Sequence, residues 1–183
     1  MDGAVWVVSE RVSNVIGRLL GESDDDDEDA ARPREAMTLD EVVDVLRADV
    51  EENTYFVTGE FTNPAVYSDD CEFVDDFSSF GGNGSFLRFR RNLRALAALT
   101  ESYDVKVLSF GVDEEDGEVA TRAFVNLKLR LPWRPVLAWV WRVRFTIDDS
   151  RVVRHVESWE IDRSKGVELL FKPGPEAGWP WKR

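Results

Sequence analysis

One cysteine and one histidine occur among the 183 residues. A lone cysteine, Cys71, excludes an internal disulfide and every metal site that needs several thiolates. A lone histidine, His155, excludes ligand sets built on two imidazoles. No G-x-S-x-G elbow, Walker loop or dinucleotide fingerprint is present, so the signatures of α/β-hydrolases, P-loop nucleotidases and nicotinamide enzymes are missing. Nothing reaches the roughly 18 consecutive apolar residues that a spanning helix requires. Positive charge is also in deficit, with 36 acids against 23 bases and a formal charge of −13. Seven of those acids fall in residues 22–29, and the rest of the chain is only mildly acidic. A surface of that sign repels phosphate backbones, so no nucleic-acid partner is expected. Neither a metal nor a cofactor is expected.

What is present is the material of a packed globule, with 43% hydrophobic residues and seven tryptophans. Residues 1–20 space Val5, Val8, Val12, Ile16 and Leu19 as an amphipathic helix, read as docking on the body, on a protein partner or weakly on a membrane surface. Residues 21–36 read as an acidic, solvated tether. The folded domain is expected over 37–173, with a Pro/Gly/Trp tail at 174–183. Thr38 and Glu41 have the spacing of a capping box and open a helix that runs to about Asn53. Asn63-Pro64 starts a short helical turn. A strand follows at 70–77, then a glycine-rich loop and a helix with Phe86, Phe89, Leu93, Leu96 and Leu99 facing inward. Four strands at about 103–114, 117–131, 136–148 and 152–162 alternate cleanly, which predicts an antiparallel meander. Helices followed by a run of strands give an α+β fold, a curved sheet closing over helices on one side.

Within that frame, period-two spacing puts Cys71, Phe73, Asp75 and Phe77 on one side of the first strand. The same spacing puts His155, Glu157 and Trp159 on one side of the last. An acid on an apolar face is costly unless it is paired, protonated or functional. Asp75, His155 and Glu157 are therefore the candidate catalytic group, with Asp75 as general base and Glu157 holding one histidine nitrogen. His155 or Tyr55 would donate to a developing oxyanion. The plainer reading of the same cluster is a buried, mutually satisfied network that fixes the fold. Trp133, in a hairpin tip between two prolines, is expected to dock on a partner, another subunit or the body itself. Cys71, mid-strand with no base signalled beside it, reads as an inert thiol.

The order of elements, with Tyr67-Ser68-Asp69-Asp70-Cys71-Glu72-Phe73-Val74-Asp75 at its first strand, resembles the nuclear transport factor 2-like superfamily. That superfamily includes ketosteroid isomerase-like and SnoaL-like proteins. Tyr55-Phe56-Val57-Thr58-Gly59, Arg91-Asn92-Leu93, Leu131-Pro132-Trp133-Arg134-Pro135 and Val153-Arg154-His155-Val156-Glu157-Ser158-Trp159 look, more closely, like a plant, algal and cyanobacterial domain family of unknown function. The resemblance covers about residues 38–173. It implies a cone-shaped sheet wrapped over helices, a pocket at the open end, and a first strand lying near the last. It also implies a chloroplast setting, although no transit peptide is evident and the chain reads as starting at a mature end. Asp75 matches the isomerases' catalytic aspartate. Asp76 departs from the proline common after it, and Arg142 falls near the isomerases' second acid, so their oxyanion arrangement is not reproduced.

The resulting expectation is a small-molecule-binding or scaffold module with a polar cluster in an apolar pocket. Tyr55, Tyr67, Phe73, Trp139, Trp141 and Trp159 are the candidate ligand-binding residues, and the ligand is expected to be small and hydrophobic. The alternative is a proton-transfer enzyme (isomerase, dehydratase or cyclase) with Asp75 as base. A homodimer is left open, because the outer sheet face carries Arg122, Lys128, Arg130, Arg142 and Arg144 and would set like charges against each other.

Overall fold

The computed structural model describes residues 37–76, 78–113 and 118–174. The expected N-terminal helix, the acidic tether, Phe77, Trp179 and Trp181 lie outside them. Helix α1 spans Leu39–Glu51, and its N-terminus is closed as the spacing predicts: Glu41 N donates to the Thr38 hydroxyl at 3.3 Å, and Thr38 N donates to the Glu41 carboxylate at 2.7 Å. These bonds hold Glu41 below the usual carboxylate range. Helix α1 buries Val42, Leu46, Asp49 and Val50, positions i, i+4, i+7 and i+8 of a single face.

A four-residue helix, α2 (Tyr55–Thr58), follows where no element was expected. Thr54 enters it in the left-handed region (φ 48°), and Gly59 ends it at φ 70°. A Cβ on Gly59 would also meet Arg94 Cγ at 2.9 Å, so this turn needs glycine for conformation and for space. Tyr55, Phe56 and Val57 are all buried by it. A 3₁₀ turn at Pro64–Val66, capped by Asn63, leads into β1 (Tyr67–Val74). A short β2 (Ser79–Phe80) precedes helix α3 (Ser85–Leu99). The glycine loop before α3 is bound back to β1, since the buried Ser85 hydroxyl donates to Cys71 O at 2.6 Å.

The meander then runs through β3 (Thr100–Val112), β4 (Val119–Leu129), β5 (Val136–Asp148) and β6 (Arg151–Trp159). Its neighbours pair antiparallel, as alternation and tight connections require. Strand β1 joins the far side of β6 in parallel, placing Phe73 opposite His155. The sheet is therefore mixed, in the order β2-β1-β6-β5-β4-β3. Helices α1, α2 and α3 pack against one side of it, and the inward residues of β4 and β5 (Val119, Ala123, Val125, Leu127, Trp139, Trp141, Val143, Phe145) form the core with them. On the outer side, Glu160 accepts from Arg122 at 2.6 and 2.7 Å and from Arg142 at 2.9 Å. Those guanidinium groups pull the Glu160 carboxyl down to about 2.

Beyond β6, Asp162 caps a last helix, α4 (Arg163–Phe171), accepting from Ser164 N at 2.9 Å. Helix α4 lies on Trp159: a Cβ on Gly166 would stand 2.9 Å from that ring. Trp133 docks back onto the body, its indole N–H donating to Leu170 O at 2.8 Å.

Candidate functional site

Strand β1 ends at Val74, one residue before the acid expected to serve as base. Asp75 is exposed, and it builds the turn into β2. Its carboxylate accepts from Ser78 N at 2.6 Å and from Ser78 Oγ at 3.1 Å, while its own N–H donates to Ser78 O. Alternation predicts an inward Asp75 only if the strand continues. A short polar side chain followed three residues later by serine closes a turn instead. The acid that reaches the last strand is Asp76, which accepts from Trp159 N at 2.8 Å and from Arg163 Nε at 3.2 Å. Asp76 thus fastens the end of β1 to the end of β6 and to the start of α4.

His155 and Glu157 do meet, inside the fold. His155 is 1% exposed. Its Nε2 lies 3.0 Å from Glu157 Oε1 and 3.5 Å from the Tyr55 hydroxyl. Both partners therefore approach the same nitrogen, rather than opposite nitrogens as the sequence suggests. A carboxylate accepts and does not donate, so the proton sits on Nε2. In the neutral imidazole, Nδ1 is then a lone pair, and it has no hydrogen-bond partner among the described residues. Five rings surround the imidazole: Phe89, Phe145, Phe73, Tyr55 and Tyr67, with centroids 4.8, 5.0, 5.4, 5.8 and 6.3 Å away.

A β-bulge shapes this end of β6. Thr146 pairs with Arg154 but Ile147 pairs with Val152, so Val153 is the extra residue. Val152 is fully buried and Val153 only half-buried, the reverse of uninterrupted alternation. The bulge lies N-terminal to His155, and the inward set His155, Glu157 and Trp159 is preserved.

Among the described residues two further polar groups belong to the cluster, each with an atom that none of those residues hydrogen-bonds. Tyr67 is buried with its hydroxyl unmatched, and its ring stacks on Phe86 at 4.8 Å. Asp49, from α1, is fully buried; its Oδ1 accepts from Thr62 N at 2.6 Å and from Asn53 Nδ2 at 3.3 Å, while Oδ2 has no partner. Burial outweighs those bonds and raises the Asp49 carboxyl above its usual value. Burial, with Glu157 next in importance, raises the Tyr55 phenol well above its usual value; burial followed by Asp49 does the same to Tyr67. Asp49 was legible as a carboxylate seven residues after Val42 on an otherwise apolar stripe. Chemically, the set offers a histidine oriented by a carboxylate, two neutral phenols and a second acid biased towards its neutral form.

The other sequence candidates sort by distance along the inner face. Phe73 belongs to the aromatic shell of His155. Trp139, Trp141 and Trp159 form a separate group: Trp139 and Trp159 are 4.6 Å apart, and Trp141 stacks on Trp159 at 6.2 Å. Trp141 pairs with Trp159, Val143 with Glu157 and Phe145 with His155, so the tryptophans lie further along the same inward row. The Trp139 indole N–H is buried without a partner among the described residues. Cys71 is buried beside Asp70 and Glu72, and burial above all pushes its thiol up to about 12, in keeping with an inert role.

No protein-family model matches this sequence, and no curated protein matches it. Solved structures do match the fold. An LEH-like epoxide hydrolase from M. tuberculosis aligns at TM-score 0.52 and 20% identity, over 72% of this chain and 92% of that one. A protein from Jannaschia sp. CCS1, proposed to be a SnoaL-like polyketide cyclase, aligns at TM-score 0.56 and 10% identity over 79% and 100%. AclR of Streptomyces galilaeus, proposed to be a hydroxylase, aligns at 0.53 and 16% over 76% and 91%. At such identities the likeness speaks for architecture and not for activity. With its six-stranded mixed sheet closing over helices, the chain has the nuclear transport factor 2-like fold.

Proposed function

We propose that this chain is a small-molecule-binding module, and that its ligand is a largely apolar molecule carrying a hydroxyl group. The observation that supports this reading is His155 Nδ1. With Glu157 accepting at the opposite nitrogen, the neutral imidazole presents Nδ1 as a buried acceptor among aromatic rings, and none of the described residues donates to it. A buried acceptor left unmatched costs about 1–3 kcal/mol, and a hydroxyl-bearing ligand would recover that cost. The surrounding rings favour an apolar body, and the Tyr67 hydroxyl gives a second contact. Native mass spectrometry of the full chain purified from its own source tests this. A retained small organic molecule, lost in Tyr67→Phe and His155→Phe variants that still fold, is the expected result. Protein that is ligand-free in the native state, and binds 1-anilinonaphthalene-8-sulfonate no better than those variants, overturns it.

A second reading draws on the same dyad. A histidine oriented by a carboxylate with a bare second nitrogen is a proton acceptor, so His155 takes the place of the exposed Asp75 in any proton-transfer chemistry. Turnover of a hydroxyl-bearing ligand that His155→Gln abolishes and Asp75→Asn leaves intact would favour this reading. The chloroplast setting implied by the family resemblance is part of the same proposal, and localisation of a fluorescent fusion tests it.

A further inference from the structure

The free edge of the sheet is β3, thirteen residues long. Among the described residues no strand pairs with its outer side. Edge strands of this length are usually protected by lysines, prolines or shortening, because their unpaired N–H and C=O groups recruit other chains. Here one lysine, Lys106, and two register shifts are set among exposed apolar residues: Tyr103 is 47% exposed, Leu108 44% and Val112 48%. Its pairing with β4 shifts register between Thr100 and Ser102 and again between Val107 and Ser109, leaving Ser102–Val107 as a regular stretch.

The charges on that stretch limit what can pair with it. A twofold axis perpendicular to a sheet keeps every side chain on its own face, so in a self-paired antiparallel strand a residue can oppose only one an even number of positions away. Lys106 is the single basic residue of β3. Glu101 falls at the register shift, outside the regular stretch, and is already paired with Lys128 and Arg134 of its own chain. Asp104 is two positions from Lys106 and on the same face. One register alone, centred on Val105, brings Lys106 of each copy opposite Asp104 of the other. It also sets Tyr103 against Val107, and its centre falls inside the bulge-free stretch.

We propose that two copies of this chain pair antiparallel through β3 about Val105, joining their sheets into one of twelve strands. The outer sheet face is a weaker candidate, because Arg122 and Arg142 already share Glu160, and Arg144 lies 3.8 Å from Glu118 of its own chain. The edge pairing is independent of the ligand reading.

Sedimentation equilibrium of the full chain, with circular dichroism to verify folding, tests the register. The wild type is expected to be dimeric at micromolar concentration. Lys106→Asp and Asp104→Lys each set like charges opposite one another and weaken the dimer about tenfold. The double variant exchanges the two charges and restores it. Val105→Cys cross-links to itself under mild oxidation, because opposed α-carbons in such a ladder lie within disulfide reach, whereas the buried Cys71 of the wild type does not cross-link. A monomeric wild type overturns the proposal. So does a dimer that ignores the charge reversals, that the double variant fails to rescue, or that never cross-links through position 105.

Discussion

The two ends of the inward row on β5 and β6 fill the same concave side of the same sheet by different means. Around His155, the polar groups come from α1, α2, β1 and β6, and three of them keep an atom that no described residue matches: Asp49 Oδ2, the Tyr67 hydroxyl and His155 Nδ1. Around Trp159, the material is three indoles, with a helix that lies on Trp159 through a glycine. The first end contains more hydrogen-bonding capacity than the protein uses. The second leaves one such atom among the described residues, the Trp139 indole N–H, and is otherwise sealed by contact. Unsatisfied capacity in a tightly packed place marks a functional site better than aromatic content does, since indoles also serve as ordinary filler.

The largest effect that would test this contrast is expected from Phe145→Ala. The ring is fully buried against Tyr55 and His155, and its removal should cost about 3–5 kcal/mol in urea unfolding. A loss below about 1 kcal/mol would mean that the histidine end is loosely packed and the contrast mistaken. Next is Gly166→Leu, which forces α4 off Trp159 and should destabilise by about 1–3 kcal/mol with a red shift in tryptophan emission. Unchanged emission would show that α4 is not a seal. Glu157→Ala leaves the buried Nε2–H of His155 only the Tyr55 hydroxyl at 3.5 Å and should cost about 1–3 kcal/mol, whereas Glu157→Gln, which keeps the close acceptor, should cost less. Equal losses would argue that the carboxylate acts by volume alone.

A fourth test uses pH. Because burial raises the folded-state pKa of Asp49, the folded protein binds its proton more tightly than the unfolded chain does. Stability contributed by the neutral form is complete below the ordinary value of 3.8 and is lost as pH rises through the raised folded value. Asp49→Asn should remove that downward slope and leave the protein relatively more stable at neutral pH than at pH 4. Parallel pH profiles for wild type and variant would contradict it. The smallest effect belongs to Asp75→Asn, within about 0.5 kcal/mol, because an amide oxygen still accepts from Ser78 N.

Local rules made much of this fold legible in the sequence. Thr38 and Glu41 announced α1, and strict alternation located β5 to the residue and β4 to within two residues at each end. The shortfalls arise where a local pattern is extended past the point at which another interaction takes over. Alternation was carried one residue too far at Asp75, where a turn captures the carboxylate. It also could not foresee that one extra residue, Val153, would turn Val152 inward. Helix α2 was illegible because Thr54 adopts a left-handed conformation that threonine seldom takes. Asp49 was overlooked because the reading of α1 followed its apolar residues alone, although the acid shares their face. At the site, His155 and Glu157 were placed correctly by period-two spacing, but which nitrogen each partner approaches depends on tertiary geometry that no spacing encodes.

The seam between β1 and β6 has a consequence for how the molecule is made. Arg154 reaches Glu72 across 82 residues of chain, so during synthesis β1 leaves the ribosome long before its partner exists. The β3–β6 meander can zip up as it emerges, each strand against its predecessor. Until β6 arrives, the apolar side of β1, with Cys71 and Phe73, has chiefly α3 and Phe80 of β2 to shelter it. Truncated nascent chains that stop before β6 should therefore be the species that chaperones capture.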